Sequence, residues 1–395
     1  MEHTPDPFAP AQLGPIRLRN RIVKAATFEG VTPAHVPSER LIEFHRRAGA
    51  GGVGLTTVAF CAVSPDGVGT PNEMILSDAA VPGLRGLADA VHAEGAAVAA
   101  QIGHAGAVAA AAGLKAVSPS ALWSPMALRR TRAATAADIA RIVGDFAAAA
   151  RIVERGGFDG IEIHLGHGYL ASEFLSPKLN KRTDAWGGSL ENRARFARDV
   201  VRAVRDAVGV RLAVTAKLNM ADGVPGGLWL DESVAVARLL ESDGALDAIE
   251  LTGGSSLENP MYLFRGEAPI HEMAAAFPQP VRSAFKLFGR RFLPTYPFEE
   301  AYFLSYARQF RAALSMPLIL LGGINRRDTI EQAMVEGFEF VAMGRALLRE
   351  PDLVNKLARG AARESLCVHC NKCMPTIYRG THCVLVPQDG EQPAR

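Results

Sequence analysis

The sequence lacks the features of exported, membrane-spanning and nucleic-acid-binding proteins. Its 395 residues carry a formal net charge of +2, and the 43 basic and 41 acidic residues are interspersed, so no basic stripe indicates a nucleic-acid partner. Residues 1–7 have neither the basic nor the apolar region of a secretory signal. Apolar windows such as residues 105–117 are shorter than the roughly 20 residues that cross a bilayer. We therefore expect a cytoplasmic protein with no membrane partner.

Cysteine is scarce, and its placement is uneven. Five cysteines occur, four of them in the pattern Cys367-x2-Cys370-x2-Cys373-x9-Cys383. Four cysteines within so short a segment do not resemble a disulfide framework spread through a secreted domain. By ligand type, four thiolates suit a [4Fe-4S] cluster or a tetrahedral zinc equally, and free buried thiols are the third alternative. Cys61 stands alone and is expected to pack in the core.

Short apolar runs alternate with amphipathic segments along most of the chain. Composition is that of an ordinary globular protein, 48% hydrophobic and 21% charged. Eight alternations favour a closed parallel TIM (β/α)₈ barrel over an open doubly wound sheet. The predicted strands are 22–26, 54–59, 96–102, 160–164, 212–218, 248–252, 318–322 and 340–344, and the predicted helices are 38–50, 83–94, 136–155, 189–208, 232–243, 298–314 and 326–336.

One connection is too long for a simple strand-to-helix loop. Residues 253–297 contain six prolines among aromatic and arginine residues. Because this insertion follows the C-terminal end of the sixth predicted strand, we expect it on the catalytic face as a lid or contact surface, with a functionally neutral loop as the alternative. The predicted domains are a barrel, residues 1–360, and a cysteine-rich extension, residues 361–395.

Two histidines and a tyrosine follow the fourth predicted strand. The stretch Glu162-Ile163-His164-Leu165-Gly166-His167-Gly168-Tyr169 places two imidazoles and a phenol within six residues, where a buried strand gives way to a loop. Such side chains can converge on one small polar group, two by hydrogen bonding and the third by proton transfer. The stretch therefore predicts an active site.

The seventh and eighth predicted strands both end in glycine. Gly322-Gly323 and Gly344-Arg345 let backbone amides approach an anion, and the arginine adds positive charge. The loops after these two strands are the usual phosphate site of TIM barrels. Tight turns alone could explain either motif, but the pair with Arg345 favours a phosphorylated cofactor.

Further motifs make the resemblance to a known family specific. Together with the stretches above they resemble the Old Yellow Enzyme family of FMN-dependent ene-reductases, in the family's order and over residues 13–355. These motifs are Asn20-Arg21-Ile22-Val23, Gln101-x2-His104-Ala105-Gly106, Phe174-Leu175-Ser176-Pro177, and Arg182-Thr183-Asp184-x2-Gly187-Gly188-Ser189-Leu190-Glu191-Asn192-Arg193.

The resemblance implies a flavin site and a reaction. Gln101 matches the glutamine at the flavin pyrimidine edge, and Lys217 matches a cation near flavin N1 and O2 that would stabilise the reduced flavin, although it could instead be a salt-bridge residue. The glycine turns and Arg345 match the phosphate site. His164 and His167 match the pair that holds the substrate oxygen, and Tyr169 matches the proton donor. NADH or NADPH would then reduce FMN, which would reduce α,β-unsaturated carbonyl or nitro compounds.

The first strand departs from the family pattern. The family has a small residue, a methionine and a flavin-tuning threonine or cysteine where this chain has Ala26, Thr27 and Phe28. We take Ala26 and Thr27 as cofactor-binding candidates and leave the tuning contact open. Lys24 has no obvious partner in the sequence, and His104 is expected to support the loop of Gln101.

The cysteine segment resembles that of the dienoyl-CoA reductase and trimethylamine dehydrogenase branch of the same family, which binds a [4Fe-4S] centre after the barrel. One alternative is therefore an iron–sulfur flavoenzyme that exchanges electrons with a separate partner protein. Another is a non-catalytic flavin-binding protein that docks through the insertion. Homo-oligomerisation is left open.

Overall fold

A computed structural model describes residues 4–111, 113–124 and 129–387; the first three residues and the last eight of the predicted extension lie outside the described residues. An antiparallel hairpin, Ala11–Leu13 with Ile16–Leu18, precedes the barrel. Its Leu13 and Leu18 are buried with the inward-facing Val23 and Ala99 of the barrel. The hairpin therefore closes the N-terminal end of the barrel and leaves the other end for a site.

Eight parallel strands form the barrel and confirm the predicted fold. The order β1-β8-β7-β6-β5-β4-β3-β2 closes on itself because β1 also pairs with β2. The strands are β1 (Ile22–Lys24), β2 (Leu55–Ala62), β3 (Ala97–Gly103), β4 (Gly160–Leu165), β5 (Ala213–Asn219), β6 (Ala248–Thr252), β7 (Leu318–Leu321) and β8 (Phe340–Met343).

Helices surround the barrel where the amphipathic segments predict them. Ser38 begins α1 by accepting a hydrogen bond from the Leu41 amide at 3.2 Å. The predicted helix 298–314 begins later, at Leu304, because Ala301 adopts a positive φ of 51°. The main helices are α1 (Glu39–Ala50), α2 (Val81–Ala93), α3 (Ala136–Arg155), α4 (Leu190–Val208), α5 (Leu230–Asp243), α6 (Leu304–Ala313), α7 (Arg327–Val335) and α8 (Leu353–Ala358).

The insertion after β6 folds into short helices, Pro260–Phe264, Ile270–Ala275 and Val281–Phe288. Met261, Ile270 and Leu293 of this segment pack with Met374, which lies in the cysteine segment. The insertion and the cysteine segment therefore form one layer over the C-terminal end of the barrel.

The chain after Met374 continues to the loop that follows β1. Thr381 donates its amide to the Glu29 carbonyl at 2.8 Å and its hydroxyl to the Phe28 carbonyl. This contact ties the end of the described chain to the first barrel loop. In the described part of the chain, no helix is long and apolar enough to span a membrane.

Candidate active site

The two histidines and the tyrosine come together at the C-terminal end of β4. The ring centroids of His164 and His167 are 4.9 Å apart, and those of His164 and Tyr169 are 4.7 Å apart. The chain reverses sharply between them, with His167 at φ 60° and its amide donating to Asn219 Oδ1 at 3.0 Å. The structure therefore assembles the cluster that the sequence predicts, with β5 supporting the turn.

Both histidines are neutral near pH 7. The Gly166 amide donates to His164 Nδ1 at 3.2 Å, so the imidazole proton is on Nε2, which is then a hydrogen-bond donor. Burial, with the nearby His167 and Lys217, holds the pKa of His164 well below its usual value. Burial and Lys217 lower the pKa of His167 to about 3, and its Nε2 lies 2.9 Å from Thr252 Oγ1.

Tyr169 lies in an apolar environment that keeps its phenol protonated. Its ring stacks on Phe60 with centroids 5.0 Å apart, and Ala26 and Phe28 belong to the same apolar cluster. Burial raises the pKa of Tyr169 above its usual value, and the charge of Glu73 adds to this effect. A protonated phenol therefore lies beside a neutral imidazole donor.

Lys217 and Gln101 are joined by a buried carboxylate inside the barrel. Glu162 Oε1 accepts from Gln101 Nε2 at 2.7 Å and from Lys217 Nζ at 2.8 Å. Lys217 also lies 2.8 Å from Glu250 Oε1. The register explains the grouping, since Gln101 pairs with Glu162 and Lys217 pairs with both His164 and Glu250. Lys217 therefore forms salt bridges, the alternative that the sequence left open, and it forms them at the predicted flavin-binding edge.

The glycine turns after β7 and β8 form the opposite end of the predicted cofactor site. A Cβ at Gly322 would lie 2.6 Å from the Phe303 ring and one at Gly323 2.6 Å from the Tyr302 ring, so neither position accepts a side chain. Arg345, next to Gly344, donates to the Arg265 carbonyl at 3.1 Å and to Asn371 Oδ1. It forms no ion pair with a carboxylate among the residues that the structure describes, so its charge is available to an anion.

Lys24 finds its partners in the loop after β1. Its Nζ donates to Thr27 Oγ1 at 2.8 Å and to Glu29 Oε1 at 3.0 Å, and Glu29 Oε2 accepts from the Ala59 amide at 2.9 Å. The buried pair thereby connects the loop after β1 to β2. Thr27 Cγ2 is 3.7 Å from the Cβ position of Gly344, which places Thr27 beside the phosphate end.

His104 supports its loop, as expected. Its Nδ1 accepts from the Gly106 amide at 3.1 Å, and its Nε2 lies 3.7 Å from Asp66 Oδ1. The interaction with His104 holds the pKa of Asp66 well below its usual range. Cys61, also as expected, is buried in the main core.

The four other cysteines line one open cleft, together with Arg345 and Asn371. Burial raises the pKa of Cys373 to about 11 and that of Cys367 above its ordinary value. Within the described residues, no three cysteine, histidine or acidic side chains surround a point where one metal ion could bind.

The residues present fit FMN. An amide and a cation, Gln101 and Lys217, lie at the barrel interior where a pyrimidine edge needs hydrogen-bond donors. The glycine turns, and Arg345 with no carboxylate partner among the described residues, lie where a phosphate needs backbone amides and positive charge.

Several contributing residues are not evident from the sequence. Thr252 and Asn219 hold His167, Phe60 stacks on Tyr169, and Asn371 reaches Arg345 from the cysteine segment. Glu250 gives a weak signal, because an acidic residue in an otherwise apolar strand needs a buried partner.

Comparisons with known proteins identify the family of this chain. The model of the NADH:flavin oxidoreductase / NADH oxidase family matches residues 6–249. A 4,4'-dithiodibutanoate disulfide reductase of Rhodococcus erythropolis is 58% identical over 384 residues, which cover 97% of this chain and 95% of the relative. A metal reductase of Desulforamulus reducens is 35% identical over 377 residues, 94% of this chain but 52% of the relative, so the chain spans about half of that protein.

Solved structures lead to the same family. Morphinone reductase has a TM-score of 0.71 at 27% identity, with 93% of this chain and 94% of that chain covered. A 2-naphthoyl-CoA reductase has a TM-score of 0.77 at 27% identity, with 90% of this chain and 52% of that chain covered. The chain therefore belongs to the NADH:flavin oxidoreductase / NADH oxidase family, the Old Yellow Enzyme family that its motifs indicate, and is an FMN-dependent NADH oxidoreductase.

Proposed function

We propose that this chain uses NADH or NADPH to reduce a small electrophile bound between His164, His167 and Tyr169. The observation that carries the proposal is the pairing of a neutral Nε2–H donor on His164 with a protonated Tyr169 phenol, whose rings are 4.7 Å apart. FMN, when bound, would accept a hydride from the nicotinamide and supply it to the substrate from N5. We propose that nicotinamide and substrate use the same site in turn.

For an activated alkene, each of the three residues has a task. The two histidines stabilise the negative charge that develops on the carbonyl or nitro oxygen while hydride adds to the β-carbon. Tyr169 then donates its proton to the α-carbon, and the phenolate regains a proton from solvent. Neutral histidines can fill this role because each still carries one N–H group that donates a hydrogen bond to the substrate oxygen.

A linear disulfide is a second candidate substrate, and it is favoured by the disulfide reductase that is 58% identical to this chain. A hydride would cleave the S–S bond to one thiol and one thiolate, and water would protonate the thiolate. Because a thiol has a pKa near 8.5, the thiolate departs without an acid catalyst. Disulfide reduction therefore needs the histidines less and Tyr169 hardly at all.

Tyr169→Phe separates the two substrates. With purified holoenzyme and NADH, we expect cyclohexenone turnover to fall by roughly 10²–10⁴-fold, while 4,4'-dithiodibutanoate turnover stays within a few-fold of wild type. Tyr378→Phe, outside the site, is the matched control. Equal activity of wild type and Tyr169→Phe on cyclohexenone would refute the proton-donor role. Failure of both NADH and NADPH to bleach the flavin would refute the proposal and favour a non-catalytic flavin protein.

We further propose that the four cysteines of this segment bind a [4Fe-4S] cluster, through which a separate partner protein would supply electrons. Support comes from Cys367, Cys370, Cys373 and Cys383 lining one cleft beside Arg345. Iron and acid-labile sulfide should be present after anaerobic purification. Protein that is free of iron yet fully active with NADH would exclude an obligatory cluster.

A further inference from the structure

Three charged side chains are buried together at the interior end of β4, β5 and β6. Glu162 is 3% exposed, Lys217 is 2% exposed and Glu250 is fully buried. The ammonium lies 2.8 Å from an oxygen of each carboxylate. Two carboxylates and one ammonium would leave a net negative charge away from water, which is costly.

The contacts show which carboxylate can remain ionised. Glu162 Oε1 accepts from both Gln101 and Lys217. Glu250 has the Lys217 ammonium 2.8 Å from one oxygen and interacts with the Glu162 carboxylate, and its Oε2 accepts no hydrogen bond from the described residues. A proton is therefore best placed on Glu250, which leaves Glu162 and Lys217 as a neutral pair.

We propose that Glu250 is the proton-holding group of the flavin site, and that it takes up a proton from solvent when the cofactor is reduced under alkaline conditions. The inference rests on the proposed function, because it requires the flavin pyrimidine edge to lie at Lys217. Lys217 is already paired with Glu162, so it cannot fully balance the charge that reduction adds. Protonation of Glu250 removes one negative charge and so compensates for the charge that reduction adds.

The surroundings of Glu250 support this assignment. Burial and the charge of Glu162 raise its pKa to about 8, and Lys217 opposes the rise. The strand on the other side of β6 is β7, whose residues are all apolar: Leu318, Ile319, Leu320 and Leu321. Lys24 of β1 interacts electrostatically with Lys217 and Glu162. An added negative charge nearby raises the pKa of Glu250 further, so the acid form persists to higher pH in the reduced protein.

The proton count gives a measurable consequence. Reduction to the anionic cofactor consumes two electrons and one proton, and protonation of ionised Glu250 consumes one more. Between the pKa of Glu250 in the oxidised protein and its higher pKa in the reduced protein, two protons accompany two electrons. The midpoint potential should fall by about 30 mV per pH unit for each proton. The slope of the midpoint potential against pH should therefore double above about pH 8.

The test is potentiometry of the holoenzyme from pH 6 to 10. We expect the wild type to show the change in slope and Glu250→Gln to keep the one-proton slope throughout. Glu73→Gln is the matched control, because Glu73 is another buried carboxyl whose pKa is raised to about 8, and this variant should retain the change in slope. The proposal would be overturned if the slope stayed constant in the wild type, or if Glu250→Gln showed the same change in slope as the wild type.

A second measurement does not depend on the cofactor or on the variant's potential. The infrared difference between the wild type and Glu250→Gln at pH 7 should contain the carbonyl band of a buried carboxylic acid, which shifts on ¹³C labelling of glutamate and disappears as pH rises through about 8. Glu73, whose pKa is also raised to about 8, is present in both proteins and cancels in this difference. Failure of the protein to bind FMN would refute the proposed function, whereas this band would still report on Glu250. Absence of a titrating band would overturn the inference itself.

Discussion

Replacing Lys24 with methionine should destabilise the protein strongly. Lys24 and Glu29 are 1% and 2% exposed, and their charged atoms are 3.0 Å apart. Removing one member of a buried ion pair costs about 3–5 kcal/mol, because the other charge remains buried. Glu29 keeps its hydrogen bonds from Ala59 at 2.9 Å and from Thr27 at 3.2 Å, so we expect about 3 kcal/mol. Methionine has a side chain of similar length, but it also removes the contact of the Lys24 ammonium with the Phe44 ring, whose centroid lies 4.8 Å from Nζ.

The assay is urea unfolding of Lys24→Met at pH 7 and pH 5.5. Without the lysine, the pKa of Glu29 should rise above its unfolded value, so the loss of stability should be larger at pH 7 than at pH 5.5. The double variant Lys24→Met/Glu29→Gln is the matched control and should lie within about 1.5 kcal/mol of wild type, since no buried charge remains. A single variant that loses less than about 1 kcal/mol at pH 7 would refute the buried-pair reasoning.

Other predictions concern ligands and pH. Because the pKa of His167 is about 3, the Kd of a phenol ligand should be constant from pH 5 to pH 8 by flavin absorption, and a transition near pH 6.5 would contradict a neutral histidine pair. Arg345→Ala should weaken FMN binding to apoprotein by roughly 10–100-fold in fluorescence titrations, with Asn371→Ala only a few-fold weaker, and equal effects would contradict direct phosphate contact by Arg345. Glu73 has a pKa raised to about 8, so its contribution to stability is full below its unfolded pKa and is lost as pH rises through about 8. Chemical unfolding of Glu73→Gln should show a smaller loss of stability between pH 5 and pH 8 than the wild type.

The barrel was predictable because each of its units is local in sequence. The segment that forms β4 is short and mostly apolar, and the long helix α4 begins at its own cap, Ser189, whose hydroxyl accepts from the Asn192 amide. Each can therefore be predicted without knowledge of its neighbours. The grouping of His164, His167 and Tyr169 was predictable for the same reason, since the three lie within six residues.

Contacts between distant segments were not predictable. Lys217 and Glu250 meet only because β5 and β6 pair in one particular register. Lys24 and Glu29 are close in sequence, but their contact depends on the path of a turn that Ala59 and Thr381 hold from elsewhere in the chain. No pattern within a single segment carries that information.

The cysteine segment also has a mechanical consequence. Asn371 holds Arg345 at the phosphate end, and ten residues later Thr381 holds the carbonyls of Phe28 and Glu29, beside the loop of Thr27. The span between them includes Cys373. We therefore expect a ligand or a disulfide that fixes the cysteines of this span to move the two loops together. Such a change would alter how firmly FMN is held even if the cysteines carry no electrons.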